Sequence, residues 1–195
     1  MPEVVSKKAY RINVKNLVYA TLTTDTSTGC TYAAPKPFSK TRQIQISPKI
    51  CAGELFGDGA LDDVQSKIVG YDVQIDVNKV PVETQAVVYG HKIATNGTLI
   101  KGKADQSPYI ALGLEIEQSN GERELVWLLK GKAQPNANTV QQTENNMNYS
   151  TESVKLSFVA REFDGNFEAI CDTAYTTVTP QVASAFLTAV PTTFA

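Results

Sequence analysis

The sequence predicts a mainly β protein with one short flanking α-helix, and three observations carry that prediction. Apolar and polar residues alternate in short runs divided by Gly, Asn, Asp and Pro. Two Asn–Gly pairs, at 96–97 and 120–121, sit between β-forming runs and read as hairpin turns. A single segment, Pro81 to Tyr89, is bounded as a helix should be, with Pro in its first turn and Gly90 at the C-cap position.

The first strand is "LVYATLTTD", Leu17 to Asp25, with a turn around Ser27, Thr28 and Gly29. "TRQIQIS" follows, placing Ile44 and Ile46 on one face and Gln43 and Gln45 on the other, and Pro48 is read as its end. The stretch from Ile50 to Val64 has glycines at 53, 57 and 59 and acids at Glu54, Asp58, Asp62 and Asp63, with no base. That composition reads as an extended loop, although Leu55, Phe56 and Leu61 are apolar residues a solvated loop does not need.

"KIVGYDVQIDVNKVPVE" then alternates strictly. Val69, Tyr71, Val73, Ile75 and Val77 form a core face, while Gly70, Asp72, Gln74 and Asp76 form a polar one. In the helix, Val82, Ala86 and Tyr89 are expected to share the buried face. In the next hairpin, Ile110, Leu112, Leu114 and Ile116 make the buried face, and the return strand carries Trp127. Ala133 to Asn148 is amide-rich and reads as a long loop. Val154, Leu156 and Phe158 share a face opposite Ser153, Lys155 and Ser157, and "FDGNF" is a turn. After it the chain returns through "FEAICDT". The Thr- and Ala-rich end holds either a short helix from Pro180 to Ala189 or an arm that orders on a partner.

Composition narrows the function. Eighteen Lys and Arg against twenty Asp and Glu give a net charge of −2, which argues against a general nucleic-acid binder and permits large assemblies. No run approaches the roughly 20 apolar residues of a membrane-spanning helix, and "MPEVVSKKAYRINV" lacks an apolar signal core, so a cytoplasmic fold is expected. Three widely spaced cysteines, Cys30, Cys51 and Cys171, are expected to be buried or half-buried free thiols.

Enzyme chemistry has little to work with. His91 is the only histidine, and its place past the helix end suits contact with free carbonyls there. There is no nucleophile elbow, zinc signature, P-loop or dinucleotide fingerprint. "GDGALDD" lacks the alternating spacing of a calcium loop. Asp72, Asp76, Glu115 and Glu117 have the spacing of any solvated strand face. Tyr71, Trp127 and Phe158 fall on apolar faces, so no aromatic platform for single-stranded nucleic acid is expected. No catalytic residue, cofactor or metal is assigned.

Three blocks resemble the major tail protein family of tailed bacteriophages. "NVKNLVYATLT" is similar to the family's opening "GLKNLYYA"-like strand. "IVGYDVQIDVNKVPVETQAVVYGHKIATNGTLI" resembles its strand, helix and hairpin succession. "SPYIALGLEIEQSNGERELVWLLKGKAQP" followed by "LSFVAREFDGNF" resembles its "PY-A-G", "NG", "VWL-KGK" and "R-DG" run. The blocks cover most of residues 10–172 in the family's order.

The resemblance implies a β-sandwich or partly rolled β-barrel whose copies form hexameric rings. Stacked rings would make the tail tube through which DNA leaves the capsid. The expected setting is the virion tail, after synthesis in the host cytoplasm, with other tail proteins at the tube ends. The chain reads as a single domain over 1–195, with an N-terminal arm to about residue 10 and a C-terminal arm from about 174. Asp72, Gln74, Asp76, Gln43 and Gln45 are the expected lumen face, where carboxylates and amides give DNA no basic contacts to hold; Lys155 works against that scheme. Leu55, Phe56, Leu61, Asp62 and Asp63 are the expected ring-to-ring contact. A tube of a phage-derived contractile particle or secretion system, and a monomeric adhesin-like β-sandwich, are the alternatives.

Overall fold

The computed structural model describes residues 9–57, 60–135 and 151–194, with side chains described outside 56–62. The chain is mainly β, as its alternation predicts. One antiparallel sheet runs in the order β2-β1-β8-β9-β10-β5-β4. Its strands are β1 (Arg11–Thr26), β2 (Gly29–Tyr32), β4 (Thr41–Gly57), β5 (Ala60–Val77), β8 (Ile110–Gln118), β9 (Arg123–Gln134) and β10 (Glu152–Phe158). Short β3 (Lys36–Pro37) pairs with β1, and β11 (Glu168–Asp172) pairs with β9 below β10. The two-stranded ribbon of β6 (Lys92–Ile93) and β7 (Leu99–Ile100) stands apart.

The sheet curls, so that β1 and β4, far apart in its order, approach each other. The concave side holds the main core. Leu17, Tyr19, Val73, Ile75, Leu112, Leu114, Val126, Leu128, Val154, Leu156 and Phe158 meet there beneath Val80, Val88 and Tyr89. The alternation in β5 therefore holds from Tyr71 to Val77. Val69 is a correction: it is exposed, because pairing jumps from Lys49↔Gly70 to Ile50↔Ile68 and leaves it in a bulge beyond the core.

The helix α1 (Val82–Tyr89) ends at Gly90 in the left-handed conformation, φ 73°. Only glycine fits, since a Cβ there would meet the Gln106 carbonyl oxygen at 2.1 Å. Its buried residues are Thr84, Val88 and Tyr89 rather than Val82, Ala86 and Tyr89. His91 is a second correction. It does not cap carbonyls; its Nδ1 lies 2.7 Å from Asp105 Oδ2, and its ring stacks on Tyr89. A carboxylate fourteen residues away competes better for the imidazole than weak carbonyl ends do.

The convex side has two unlike halves. Over β1, β8, β9 and β11, a second core of Ala20, Ala111, Trp127, Leu129 and Ala169 is covered by Val190, Phe186 and Leu187. The C-terminal stretch thus forms a second helix, α2 (Pro180–Phe186), N-capped by Thr179, and lies on the chain's own sheet. Trp127 Nε1 donates to the Phe186 carbonyl at 2.7 Å. Gly113 makes room for the indole, because a Cβ there would come within 2.9 Å of the ring. Over β4, β5, β10 and the end of β9, the convex side is polar, and no described residue covers it.

Buried ionic contacts tie the convex side together. Asp25 on β1 accepts hydrogen bonds from Lys130 Nζ at 2.6 Å and from the backbone of Glu162 and Phe163. Burial alone would push the Asp25 carboxyl up, but the Glu162, Lys130 and Phe163 donors outweigh it and hold it below the ordinary carboxylate range. A carboxyl depressed in the folded state stabilises fully above its unfolded pKa, about 3.9, and loses that contribution as pH falls through the folded value. Between about pH 5 and pH 3, the melting temperature should therefore fall more steeply in the wild type than in Asp25→Asn. Equal slopes in a calorimetric pH series would contradict this.

Two further expectations fail for physical reasons. Cys51 is exposed, since it sits on a part of β4 with no core beneath it, whereas Cys30 and Cys171 are buried. Glu115 is not a solvated carboxylate but is buried against Asn16 Nδ2 at 2.7 Å and Arg123 Nη1 at 3.4 Å. Asn16 reaches it from a bulge in β1 with φ 49°, a conformation asparagine tolerates better than most side chains.

Candidate functional site

The bare polar half of the convex side is built by strand register. β4 pairs with β5 so that Gln43 faces Asp76, Gln45 faces Gln74 and Ser47 faces Asp72. β10 continues each row: Ser153 beside Asp76, Lys155 beside Gln74 and Ser157 beside Asp72. β9 adds Gln134 next to Lys155 and Lys132 next to Ser157. The five residues expected to line one surface, Asp72, Gln74, Asp76, Gln43 and Gln45, do share one face.

That face is less acidic than the sequence suggested. Lys49 is on it and donates to Asp72 Oδ1 and to Ser157 Oγ, both at 2.8 Å. Ser153 Oγ hydrogen-bonds Asp76. Lys132 lies over the Tyr109 ring, 4.3 Å from its centroid. Lys155 stays exposed beside Gln74, with no ion pair among the described residues. Three lysines thus meet two aspartates, and the surface is a mixed-charge, amide- and hydroxyl-rich wall.

Lys132 and Gln134 were missed because of a bulge. Pairing passes from Ile110↔Gly131 to Leu112↔Leu128, so β9 spends one extra residue near Leu129 and Lys130. The extra residue swaps the faces, and even-numbered positions that face the core at 126 and 128 face outward at 132 and 134. Gly131, beside the extra residue, is the one mark of this shift in the sequence.

The stretch from Ile50 to Val64 corrects the loop reading most strongly. It is the outer half of a β-hairpin in which β4 and β5 stay paired through Ile50↔Ile68, Ala52↔Ser66, Glu54↔Val64 and Leu55↔Asp63. Each arm satisfies the other's backbone, which a glycine-rich composition does not forbid when no side chain must pack. Pro48 does not end β4. The strand is at the sheet edge with β5 as its partner, so a missing N–H on the open side costs little.

Beyond Gly70 this hairpin leaves the body. Ile50, Leu55, Val64, Ile68 and Val69 are all exposed, Leu55 to 59%. Asp63 is likewise exposed, while the side chains of Phe56, Leu61 and Asp62 lie outside the described residues. The backbone carries β4 on to Gly57 and begins β5 at Ala60.

A second exposed element stands at the opposite end of the strands. β5 finishes at Val77 and passes through α1 to the β6–β7 ribbon. There Lys92 pairs with Ile100 and Ile93 with Leu99 across a turn at Gly97, φ 81°. The ribbon is fastened to the body by the His91–Asp105 contact, by Gly102 N donating to Asp105 at 2.7 Å, and by Ser107 Oγ donating to the Val88 carbonyl.

No family model matches the chain. No curated protein matches it either.

Proposed function

We propose that this chain is a structural virion protein whose copies assemble into stacked, hexameric rings forming the tube of a phage tail, a conduit for DNA. The observation that carries the reading is the β4–β5 hairpin. An isolated two-stranded ribbon is marginal in water, yet here it extends from the body with a row of exposed apolar side chains. Such a feature makes sense when a neighbouring copy covers it.

Two further features support the reading. β4 is 17 residues long and, among the described residues, pairs with β5 alone, leaving a long open edge of the kind that joins sheets between subunits. The C-terminal segment covers the apolar half of the convex side, and among the described residues nothing covers the polar half, as a lumen wall requires. Of its three lysines, Lys49 is paired with Asp72 and Lys132 lies over the Tyr109 ring, so Lys155 is the one left open to a phosphate. The resemblance of the three sequence blocks points the same way. In this reading the protein is non-enzymatic, needs no cofactor, and meets other tail proteins at the tube ends.

Negative-stain microscopy of the concentrated full chain tests the proposal. Rings and tubes with a central channel are expected. A protein that stays monodisperse and monomeric at millimolar concentration would overturn it.

A further inference from the structure

We infer that a cavity at one end of the concave side binds a lysine or arginine side chain of another polypeptide, whether or not copies of this chain assemble. Strand register builds the cavity. Past Ile116, β8 presents Gln118 on this side with Arg11 of β1 opposite it, while β9 and β11 set Glu124 opposite Asp172. The turn after β8 adds Asn120 and Glu122. The chain leaving β11 turns back at Tyr175, whose N–H donates to the Asp172 carbonyl. The space among them is about 830 Å³, the size of a ligand pocket, and no described residue fills it.

Its charge is unbalanced. Three carboxylates line it, and Arg11 is the one base among its described lining residues. Arg11 is already held by Glu124, through Nε at 2.8 Å and Nη2 at 2.6 Å. Glu122 and Asp172 have only neutral donors: Thr173 Oγ1 at 2.6 Å on the first, Gln118 Nε2 and the Ala174 N–H on the second. Lys15 and Arg123, on the same strands, pair instead with Glu117 and Glu115. Two half-buried carboxylates therefore share a cavity that gives them no cation.

Hydrogen bonding has a matching gap. Gln118 is only 7% exposed, and its Oε1 has no donor among the described residues. Turning the amide over does not help, because its oxygen would then face the Asp172 carboxylate. A buried acceptor without a donor destabilises a fold unless a ligand supplies one. Asn120 has the opposite need. Its Oδ1 accepts from the Glu122 N–H at 3.0 Å, and its buried Nδ2 has no acceptor.

The cavity thus calls for a positively charged, donor-rich group with an acceptor close by. A basic residue within a polypeptide has both: an ammonium or guanidinium for Gln118, Glu122 and Asp172, and a peptide carbonyl for Asn120. A polyamine has no acceptor, and a nucleotide would set phosphates against carboxylates. The walls suit the same occupant. Tyr10 and Tyr175 line the cavity, exposed to 69% and 58%, with Ile170 beside them. Tyrosine faces attract a cation, and the apolar surface fits the residues that flank it. One basic side chain fills only part of the space, which leaves room for those neighbours.

The test titrates the dilute full chain with acetyl-Val-Arg-Val-amide by calorimetry. One peptide per chain is expected to bind, about tenfold or more tighter than the citrulline analogue, free arginine or spermidine. Glu122→Gln with Asp172→Asn should weaken binding about tenfold, and Gln118→Met about fivefold, each melting within a few degrees of the wild type. Asp76→Asn, which removes a carboxylate from the polar face, should leave binding unchanged. If the paired variant melts far below the wild type, Glu122→Gln alone carries the comparison, with a loss of about threefold. A peptide that does not bind, or that binds these variants as tightly as the wild type, would overturn the inference. So would an equal loss in Asp76→Asn, which would mark attraction to net charge alone. Spermidine or free arginine binding as tightly as the peptide would overturn the assignment to a polypeptide.

Discussion

Arg161→Ala is expected to lower the unfolding free energy by about 2–4 kcal/mol, because it empties a wholly buried site and removes several hydrogen bonds at once, although the Asp164 carboxylate left behind reaches solvent. The Arg161 side chain is wholly buried and works as a junction. Its guanidinium grips Asp164 through Nε, at 3.1 Å, and through Nη2. Nη1 donates to the Pro191 carbonyl at 2.8 Å and to the Tyr32 hydroxyl at 3.4 Å, and Phe194 lies against the guanidinium. Burial opposes a charge here, yet the Asp164 and Tyr32 hydrogen bonds prevail and raise the guanidinium pKa above its ordinary value. Burial likewise pushes the Tyr32 phenol up to about 12, so it stays a neutral acceptor for this bond.

The same residue fastens the C-terminal segment over the second core. Without it, Pro191 and Phe194 lose their anchor, and the cover over Trp127 loosens. For a chain of this size the loss should lower the melting temperature by roughly 10 °C. The single tryptophan makes the release visible as a red shift of native-state fluorescence. Arg161→Lys should recover little, because an ammonium cannot hold Asp164, Pro191 and Tyr32 with one planar fork. A variant melting within about 2 °C of the wild type, with unshifted fluorescence, would show that the segment stays in place without this junction.

That C-terminal cover also shows where sequence reading runs short. Pro180 announced a helix start, and Thr179 does cap it. Where the helix would land was not readable. Its contact residues, Ala183, Phe186 and Leu187, are too few to set up a periodic pattern, and their partner Trp127 lies about sixty residues away in sequence. Trp127 itself was legible as core, but β9 is buried on both faces, so its alternation between two different cores looks like one continuous apolar run. The central strands were readable for the opposite reason. β5 and β10 have one core face and one bare face, and Val73, Ile75, Val154, Leu156 and Phe158 alternate cleanly with Asp72, Gln74, Ser153 and Ser157.

The polar wall was partly legible on the same grounds. Asp72, Gln74, Asp76, Gln43 and Gln45 follow from parity within two strands, and register brings them together. Lys49 was hidden behind Pro48, taken as a strand end, and Lys132 behind a bulge that Gly131 alone marks. The hairpin tip was missed for a different reason. Its described residues are held by backbone pairing and have no core beneath them, and glycine and acid content mimicked a loop.

Removing that tip should separate folding from assembly most sharply. Replacing residues 51–67 with Asn–Gly would join Ile50 to Ile68, which already face each other in register, through a two-residue turn suited to a hairpin. None of the described residues among those deleted belongs to a core cluster; the main core begins at Tyr71 on β5 and at Ile46 on β4. The shortened chain is therefore expected to melt within a few degrees of the wild type, since it loses a marginal ribbon and a long loop-closing excursion. On the proposed tube reading, its assembly should instead be abolished: neither tubes nor stacked rings form at concentrations where that reading has the wild type polymerise. Single rings that persist without stacking would place the tip between rings, with the open edge of β4 holding each ring closed. Tubes of normal length would mean that the exposed Ile50, Leu55, Val64 and Ile68 serve some other contact, and that stacking depends on the body alone.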